Sequence, residues 1–146
     1  MTTPAHKIHL SIPAASEFIA VARLTVSGIS SRMNFAVNDI EDIKVALSEA
    51  CTNVIQHAYE PDQQAMIDID FHLFPDRLEI IVQDQGRGFN TQHIKSPKID
   101  SDNPELFGLG LGLVFIQSLM DEASIDSEFG KGTTLKMIKS LPKVTA

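Results

Sequence analysis

The spacing of apolar residues changes from helical to alternating near Pro61, and that change restricts the folds open to the chain. Before it, residues 16–33 and 38–60 carry apolar side chains every three or four positions, which is typical of amphipathic helices. After it, residues 66–74 and 78–84 alternate apolar and polar side chains, which predicts half-buried strands. The pattern therefore predicts two helices followed by a β-hairpin whose turn is the sequence PDR.

The remaining segments extend this pattern at both ends. Residues 7–12 alternate like a first strand, residues 111–122 form a short apolar helix, and residues 123–129 and 133–141 flank a GKG turn like a closing hairpin. Antiparallel strands with helices grouped between them predict an α+β fold, a two-layer α/β sandwich in which helices cover a mixed, mainly antiparallel sheet. We expect a single domain over residues 1–146.

Helix ends and one long loop complete the prediction. Ser16 is a plausible N-cap for the first helix, and Asn38 or Asp39 for the second, since their side chains can accept from free backbone N–H groups. Residues 85–107 are polar, lack a period and are rich in Gly, Pro, Asn and Ser. A structureless stretch of that length is usually functional, and often a lid.

Charge, hydropathy and cysteine content restrict the kinds of partner and the cellular compartment that are expected for the chain. The net charge is −7 with scattered Lys and Arg, which argues against a nucleic-acid partner. No apolar run approaches the roughly 20 residues of a membrane span, and the N-terminus lacks the apolar core of a signal peptide. The lone Cys51 excludes an internal disulfide and fits a reducing cytosol, so we expect a cytoplasmic protein that binds proteins and small ligands.

Asp84 is the first candidate for a ligand contact. It continues the alternation of its strand, so its carboxylate is expected on the core face, where an unpaired charge is costly. Gly86 and Gly88 would let backbone approach a ligand, and a carboxylate there suits a planar ligand that bears an amino group. Alternatively, the strand ends earlier and Asp84 belongs to a turn with Gly86.

A second group of candidates lies on the second helix. Glu49, Asn53 and His57 are spaced by four and border the apolar stripe. Asn53 offers a neutral oxygen to a hard cation such as Mg²⁺, and Glu49 could accept a proton. A solvated polar face is the alternative, and His57 fits a structural hydrogen bond better than a ligand role. The expected buried stripe consists of Ile43, Leu47, Ala50, Val54 and Ala58.

The glycines at 108–112 match neither common phosphate motif. Gly108, Gly110 and Gly112 do not fit the G-x-G-x-x-G fingerprint, and no G-x-x-x-x-G-K-[ST] run exists. A glycine strip that opens a helix remains, and free N–H groups at such a position favour phosphate. Thr133 and Thr134 could add hydroxyl groups, although β-propensity alone also explains them.

Four motifs together resemble the GHKL ATPases, whose Bergerat fold is shared by histidine kinases, gyrase and Hsp90. Over residues 7–141 the chain further resembles the bacterial anti-sigma factor serine kinases of the anti-sigma-B (RsbW) and anti-sigma-F type. This resemblance also rests on longer segments such as ARLTVSG and IEDIKVALSEACTNVIQHAYE. The four motifs are EACTN (49–53), DQGRG (84–88), GLGLG (108–112) and GTT (132–134).

The resemblance implies a role for each matching residue. Asn53 would hold Mg²⁺ and Glu49 would be the base for a serine hydroxyl. Asp84 would read the adenine amino group, assisted by Thr133 or Thr134. The remaining assignments are that Gly86 and Gly88 border the adenine of ATP, that Gly108, Gly110 and Gly112 cradle its phosphates, and that residues 89–107 form the ATP lid.

The resemblance also implies partners. Such kinases sequester a sigma factor and phosphorylate a STAS-domain antagonist on serine, and they usually form homodimers. Arg23 matches a position on the partner-binding face, although a solvated helix residue is the alternative.

Two competing functions are weighed against this one. The first is a nucleotide-gated binding switch without significant kinase activity, which retention of Glu49 disfavours. The second is the detached ATPase half of a histidine kinase, which ranks last because the first strand begins by residue 7 with no upstream dimerisation helix.

Overall fold

The computed structural model describes residues 3–57, 65–86, 104–128 and 132–142. A short 3₁₀ helix at Ser16–Phe18 precedes the first α-helix. The elements of the described residues are β1 (His6–Pro13), α1 (Ile19–Arg32), α2 (Val37–His57), β2 (Met66–Leu73), β3 (Arg77–Asp84), α3 (Pro104–Leu119), β4 (Glu122–Glu128) and β5 (Gly132–Ser140).

The five strands form one sheet in the order β1-β2-β3-β5-β4, and every neighbouring pair is antiparallel. This arrangement confirms the predicted α+β class, and the sheet of the described residues is antiparallel throughout rather than mixed. β3 lies in the middle, where β2 pairs with it on one side and β5 on the other. The last residue of β3, Asp84, pairs with Thr133 of β5 at the end of this central strand.

The core lies between one face of the sheet and the helices, with α2 packed between α1 and α3. Burial on α2 follows the predicted stripe at Ile43, Leu47, Ala50 and Val54, while Ala58 lies outside the described residues. Each large aliphatic side chain buried in this way stabilises the fold by roughly 1.5–3 kcal/mol. The sheet contributes Ile67, Ile69, Phe71, Leu78, Ile80, Val82, Leu135 and Met137 to the same core.

Two predicted helix starts are wrong. Ser16 begins the 3₁₀ helix, and α1 has no side-chain cap because Phe18 occupies its N-cap position. Asn38 and Asp39 lie inside α2, which begins at Val37, and the Ile40 N–H bonds to the Ala36 carbonyl. Backbone bonds thus start both helices, and the acid in the first turn of α2 complements the helix dipole instead of capping it.

The start of α3 is also earlier than predicted. The helix begins at Pro104, so residues 104–107 belong to α3 and not to the predicted loop. Proline fits the first helical position because a backbone N–H there would have no partner within the helix, so the N–H that proline lacks is not missed. The predicted lid otherwise lies in a segment, residues 87–103, that is outside the described residues.

The other face of the sheet carries paired charges. Glu79 is buried there and lies 3.0 Å from Lys136 Nζ, while Arg77 stacks 3.8 Å above the Phe74 ring. At the β1 edge, His9 Nδ1 lies 2.7 Å from Asp70 Oδ1, and this contact raises the pKa of His9. The pair of Glu79 and Lys136 balances charge on the face that the helices leave uncovered.

Candidate functional site

Asp84 is a buried carboxylate on the helix-covered face of the sheet, as the alternation of β3 predicts. Only 4% of the residue is exposed, and β3 extends through it, so the alternative in which the strand ends earlier is excluded. The Gly86 N–H donates a 2.8 Å hydrogen bond to Asp84 Oδ1, and the Thr133 N–H also donates to the carboxylate. Burial raises the pKa of Asp84, while these two backbone donors lower it.

Gly132 allows β5 to approach Asp84 closely. Its φ is +79°, and a Cβ added there would collide with the backbone carbonyl oxygen of Asp84. Any other residue would suffer both backbone strain and this clash, so the glycine is needed to form the site. Sequence reasoning missed this role: it assigned Gly132 to the GKG turn and to the GTT motif, but the sequence does not show how closely β5 approaches Asp84.

Ser127 is a second residue that sequence reasoning missed. It is 6% exposed, lies opposite Thr133 in the β4–β5 register, and its hydroxyl donates to the Gly132 carbonyl at 3.1 Å. Ser127 Oγ is also 2.8 Å from Thr133 Oγ1. The hydroxyl of Thr133 is therefore oriented by Ser127 while its backbone N–H binds Asp84. Only the register of β4 and β5 places Ser127 beside Thr133, and the sequence alone does not give this register.

Thr134 does not join this cluster. It pairs with Gln83 and Asp126, and successive strand residues point to opposite faces, so its side chain lies on the face away from Asp84. Of the two threonines implied by the resemblance, the structure brings only Thr133 to the buried carboxylate.

Glu49 and Asn53 form the second part of the site, where α2 contacts α3. Both are half-buried, one helical turn apart. A Cβ added to Gly112 would lie 2.8 Å from Asn53 Nδ2, 3.1 Å from Asn53 Oδ1 and 3.0 Å from Glu49 Oε1. The bare backbone of α3 at Gly112 therefore leaves room for the polar ends of both side chains.

The other predicted residues are less informative. Gly108 and Gly110 lie inside α3, more than one turn after Pro104, so their N–H groups are not the free donors of the helix N-terminus. This corrects the expectation that the glycine strip opens the helix. Gly88 lies outside the described residues, and of His57 only the helical backbone is described.

A groove of about 610 Å³ lies between α1 and α2 and includes the predicted partner-binding residue Arg23. Arg23 is exposed, and the neighbouring Leu24 is 75% exposed. Lys44 and Glu41 pair at 3.1 Å along the same groove. The surface therefore combines an exposed apolar side chain with charges of both signs.

Among the described residues, no group of three or more His, Cys, Asp or Glu side chains could hold a metal ion. In the same part of the chain, no helix is long and apolar enough to cross a membrane.

The sequence and the fold match a known class of protein. Residues 12–139 match the family model of the histidine kinase-like ATPase domain. Among solved structures, the RsbU and RsbW domains of a Mycobacterium tuberculosis protein align with a TM-score of 0.69 at 22% identity, over 95% of this chain and 34% of that one. A histidine kinase domain from Erythrobacter litoralis aligns with a TM-score of 0.55 at 18% identity, over 88% of this chain and 61% of that one. At these identities the likeness shows the fold.

Relatives with similar sequences identify the family within this class of ATPase domains. The serine-protein kinase RsbW of Halalkalibacterium halodurans is 44% identical over 93% of this chain and 84% of its own length. The serine-protein kinase RsbW of Bacillus subtilis is 41% identical over 97% of this chain and 89% of its own length. The chain therefore belongs to the RsbW family of serine-protein kinases, a branch of the histidine kinase-like ATPases. The resemblance drawn from the sequence motifs is confirmed.

Proposed function

We propose that this chain is an ATP-dependent serine-protein kinase and anti-sigma factor, which sequesters a sigma factor and phosphorylates a STAS-domain antagonist on serine. The observation that carries the proposal is the close approach of Gly112 to Glu49 and Asn53. This approach places a carboxylate and a neutral amide side by side against the backbone of α3. Phosphoryl transfer to a hydroxyl uses a group that orients or deprotonates the hydroxyl and a group that holds the metal ion, and these two side chains suit those roles.

Asp84 is proposed to recognise the adenine amino group. A carboxylate has about four acceptor positions, and the Gly86 and Thr133 N–H groups occupy two of them. The remaining positions can accept hydrogen bonds from an amino group. Because the carboxylate is buried, a ligand that brings a donor to it relieves part of its desolvation, and this favours ligands with an amino group.

Glu49 is proposed to accept the proton of the attacking serine hydroxyl, and Asn53 to bind magnesium through its amide oxygen. Both side chains fit these roles, because a carboxylate and an amide oxygen are the donors that such chemistry uses. Magnesium, when bound, would neutralise charge on the phosphates. The described residues contribute by holding Glu49 and Asn53 on one rigid helix beside Gly112.

The groove between α1 and α2 is proposed to bind the protein partners. Arg23 and the exposed Leu24 could contact a sigma factor or a STAS domain through charge and apolar contact together. A homodimer is part of the proposal, as is a cytoplasmic location, since both proposed partners act there.

Intact-mass spectrometry tests the proposal. The purified chain is mixed with Mg-ATP and each STAS-domain protein of the same organism, and the mass of each STAS protein is followed over time. We expect one STAS protein to gain a single phosphate on serine. If ATP binds and no STAS protein gains phosphate, the chain is instead the nucleotide-gated switch without significant kinase activity.

A further inference from the structure

Lys139 is a largely buried cation near the end of β5 that contacts both α2 and α3. Its side chain is only 12% exposed. Its Nζ donates a 2.7 Å hydrogen bond to the Leu119 carbonyl oxygen. The same Nζ lies 3.9 Å from Asp39 Oδ1 and 4.0 Å from Asp42 Oδ2. Burying an ammonium group is costly unless it is paired, so these contacts account for its position.

The two helices present complementary ends to this cation. The last turn of α3 has no basic residue of its own, and its final carbonyl groups lack partners within the helix. A cation there is favourable, because the C-terminal end of a helix carries partial negative charge. Asp39 and Asp42, near the start of α2, add two carboxylates. One ammonium group thus joins the end of α3 to the beginning of α2.

The spacing relates this contact to the candidate site. Leu119 lies seven residues after Gly112, and Asp42 lies seven residues before Glu49. At about 1.5 Å per helical residue, both separations are roughly 10 Å. α2 and α3 are therefore antiparallel. The Lys139 contact lies about the same distance from the contact of Gly112 with Glu49 and Asn53, whether that distance is measured along α2 or along α3.

Asp121 fixes the end of α3 to the sheet without involving α2. Its N–H bonds to the Ile138 carbonyl at 2.9 Å, and its Oδ2 accepts the Ser140 N–H at 2.6 Å. These bonds fasten the chain just after α3 to β5. Lys139 lies on the same strand, and its ammonium group contacts both α3 and α2. It therefore links the end of α3 to the helix that carries Glu49 and Asn53.

We propose that Lys139 is a positioning residue that sets the axial register of α3 on α2, and thereby the distance from Gly112 to Glu49 and Asn53. This inference rests on the proposed function, because it assumes that these residues act on the phosphates. A shift of about 1 Å between groups that position a reaction can reduce the rate by about 100-fold. Loss of the ammonium group should therefore lower kcat although Lys139 contacts no substrate.

The test compares Lys139→Met with Lys139→Arg and with a matched control, Lys136→Met. Lys136 also lies on β5 and pairs with a buried acid, Glu79, but on the face away from the helices. We expect Lys139→Met to lower kcat at least about tenfold and to change KM for ATP by less than about threefold. Lys139→Arg keeps the charge and should recover most of the activity. Lys136→Met should lower Tm and leave kcat unchanged.

Wild-type kcat in Lys139→Met, whatever its Tm, would overturn the inference. If Lys139→Met does not fold, the double variant Asp39→Asn, Asp42→Asn removes only the α2 partners and should show the same loss of kcat. Unchanged kcat in that folded double variant would equally contradict the proposal.

A second measurement separates this inference from the proposed function. The side-chain amide resonance of Asn53 in a ¹⁵N-labelled protein reports the Gly112 contact without any phosphate transfer. It should shift in Lys139→Met and not in Lys136→Met. If the wild-type chain transfers no phosphate, the proposed function fails, and an unshifted Asn53 signal in Lys139→Met would then overturn the positioning role on its own.

Discussion

Gly112 of α3 lies so close to Asn53 of α2 that a Cβ added at Gly112 would stand 2.8 Å from Asn53 Nδ2. The atoms in the way are the ends of the Asn53 and Glu49 side chains, which can rotate, and not backbone atoms. A methyl group at this position would therefore displace these two side chains while the helices remain packed. The absence of a side chain at Gly112 therefore affects the positions of Asn53 and Glu49 more than it affects the stability of the fold.

Gly112→Ala is expected to reduce phosphate transfer at least about tenfold, because Asn53 and Glu49 must move from their present positions. Stability should be unchanged or higher, since alanine is better than glycine within a helix by up to about 1 kcal/mol. Gly28→Ala in α1 is the control, because a Cβ there meets nothing within 4 Å. Kinase assays and thermal unfolding of both variants would check this. A Gly112→Ala variant with wild-type activity would contradict it.

Asp84→Asn is expected to weaken ATP binding at least about tenfold, or about 1.4 kcal/mol, with the fold intact. The amide keeps the shape of the side chain but replaces an acceptor with a donor, which opposes an amino group on the ligand. Calorimetric titration with ATP measures the effect, and circular dichroism verifies the fold. Unchanged ATP affinity would remove Asp84 from adenine recognition.

Stability should also depend on pH through Asp84. Its pKa is raised in the folded state, mainly by burial, so folding is favoured when the carboxyl group is protonated. The stabilising contribution is fully present below the unfolded pKa of about 3.9 and is lost as pH rises through the higher folded pKa. The free energy of unfolding of wild type, relative to Asp84→Asn, should therefore fall across that interval as pH increases. Denaturant titrations at several pH values measure this difference, and a constant difference would refute the prediction.

Ser127→Ala is expected to weaken ATP binding several-fold, because it removes the hydrogen bonds that orient Thr133 and satisfy the Gly132 carbonyl. Ser124→Ala, at an exposed position on the same strand, is the matched control and should bind ATP like wild type. Fluorescence titration with a labelled ATP analogue compares the two variants. Equal affinities would show that Ser127 does not influence the nucleotide site.

Much of the fold follows from local patterns in the sequence. Alternating residues predict β2 and β3, and the burial of Asp84 follows from the same alternation. The stripe from Ile43 to Val54 predicts which face of α2 is buried. These predictions succeed because the period of apolar residues reflects burial directly.

The errors arise where distant parts of the chain decide the outcome. α3 begins at Pro104, four residues before Gly108, and continues through the glycines. Glycine is a poor helix former, but local propensity is only a weak influence on a packed helix. Ser127 and Gly132 join the Asp84 cluster through strand register. Lys139 reaches α2 and α3 from β5. No spacing in the sequence encodes such contacts.

Substitution of Glu49 is the most direct test of the proposed kinase mechanism. Rates of phosphate transfer to the STAS substrate, identified by intact mass, are compared for wild type, Glu49→Gln and the control Gln56→Ala, an exposed position on the same helix. ATP affinity is measured on the same samples. We expect Glu49→Gln to bind ATP within about threefold of wild type and to transfer phosphate at least about 100-fold more slowly, while Gln56→Ala remains active. An undiminished rate in Glu49→Gln would contradict the assignment of Glu49 as the base, and with it the proposed mechanism.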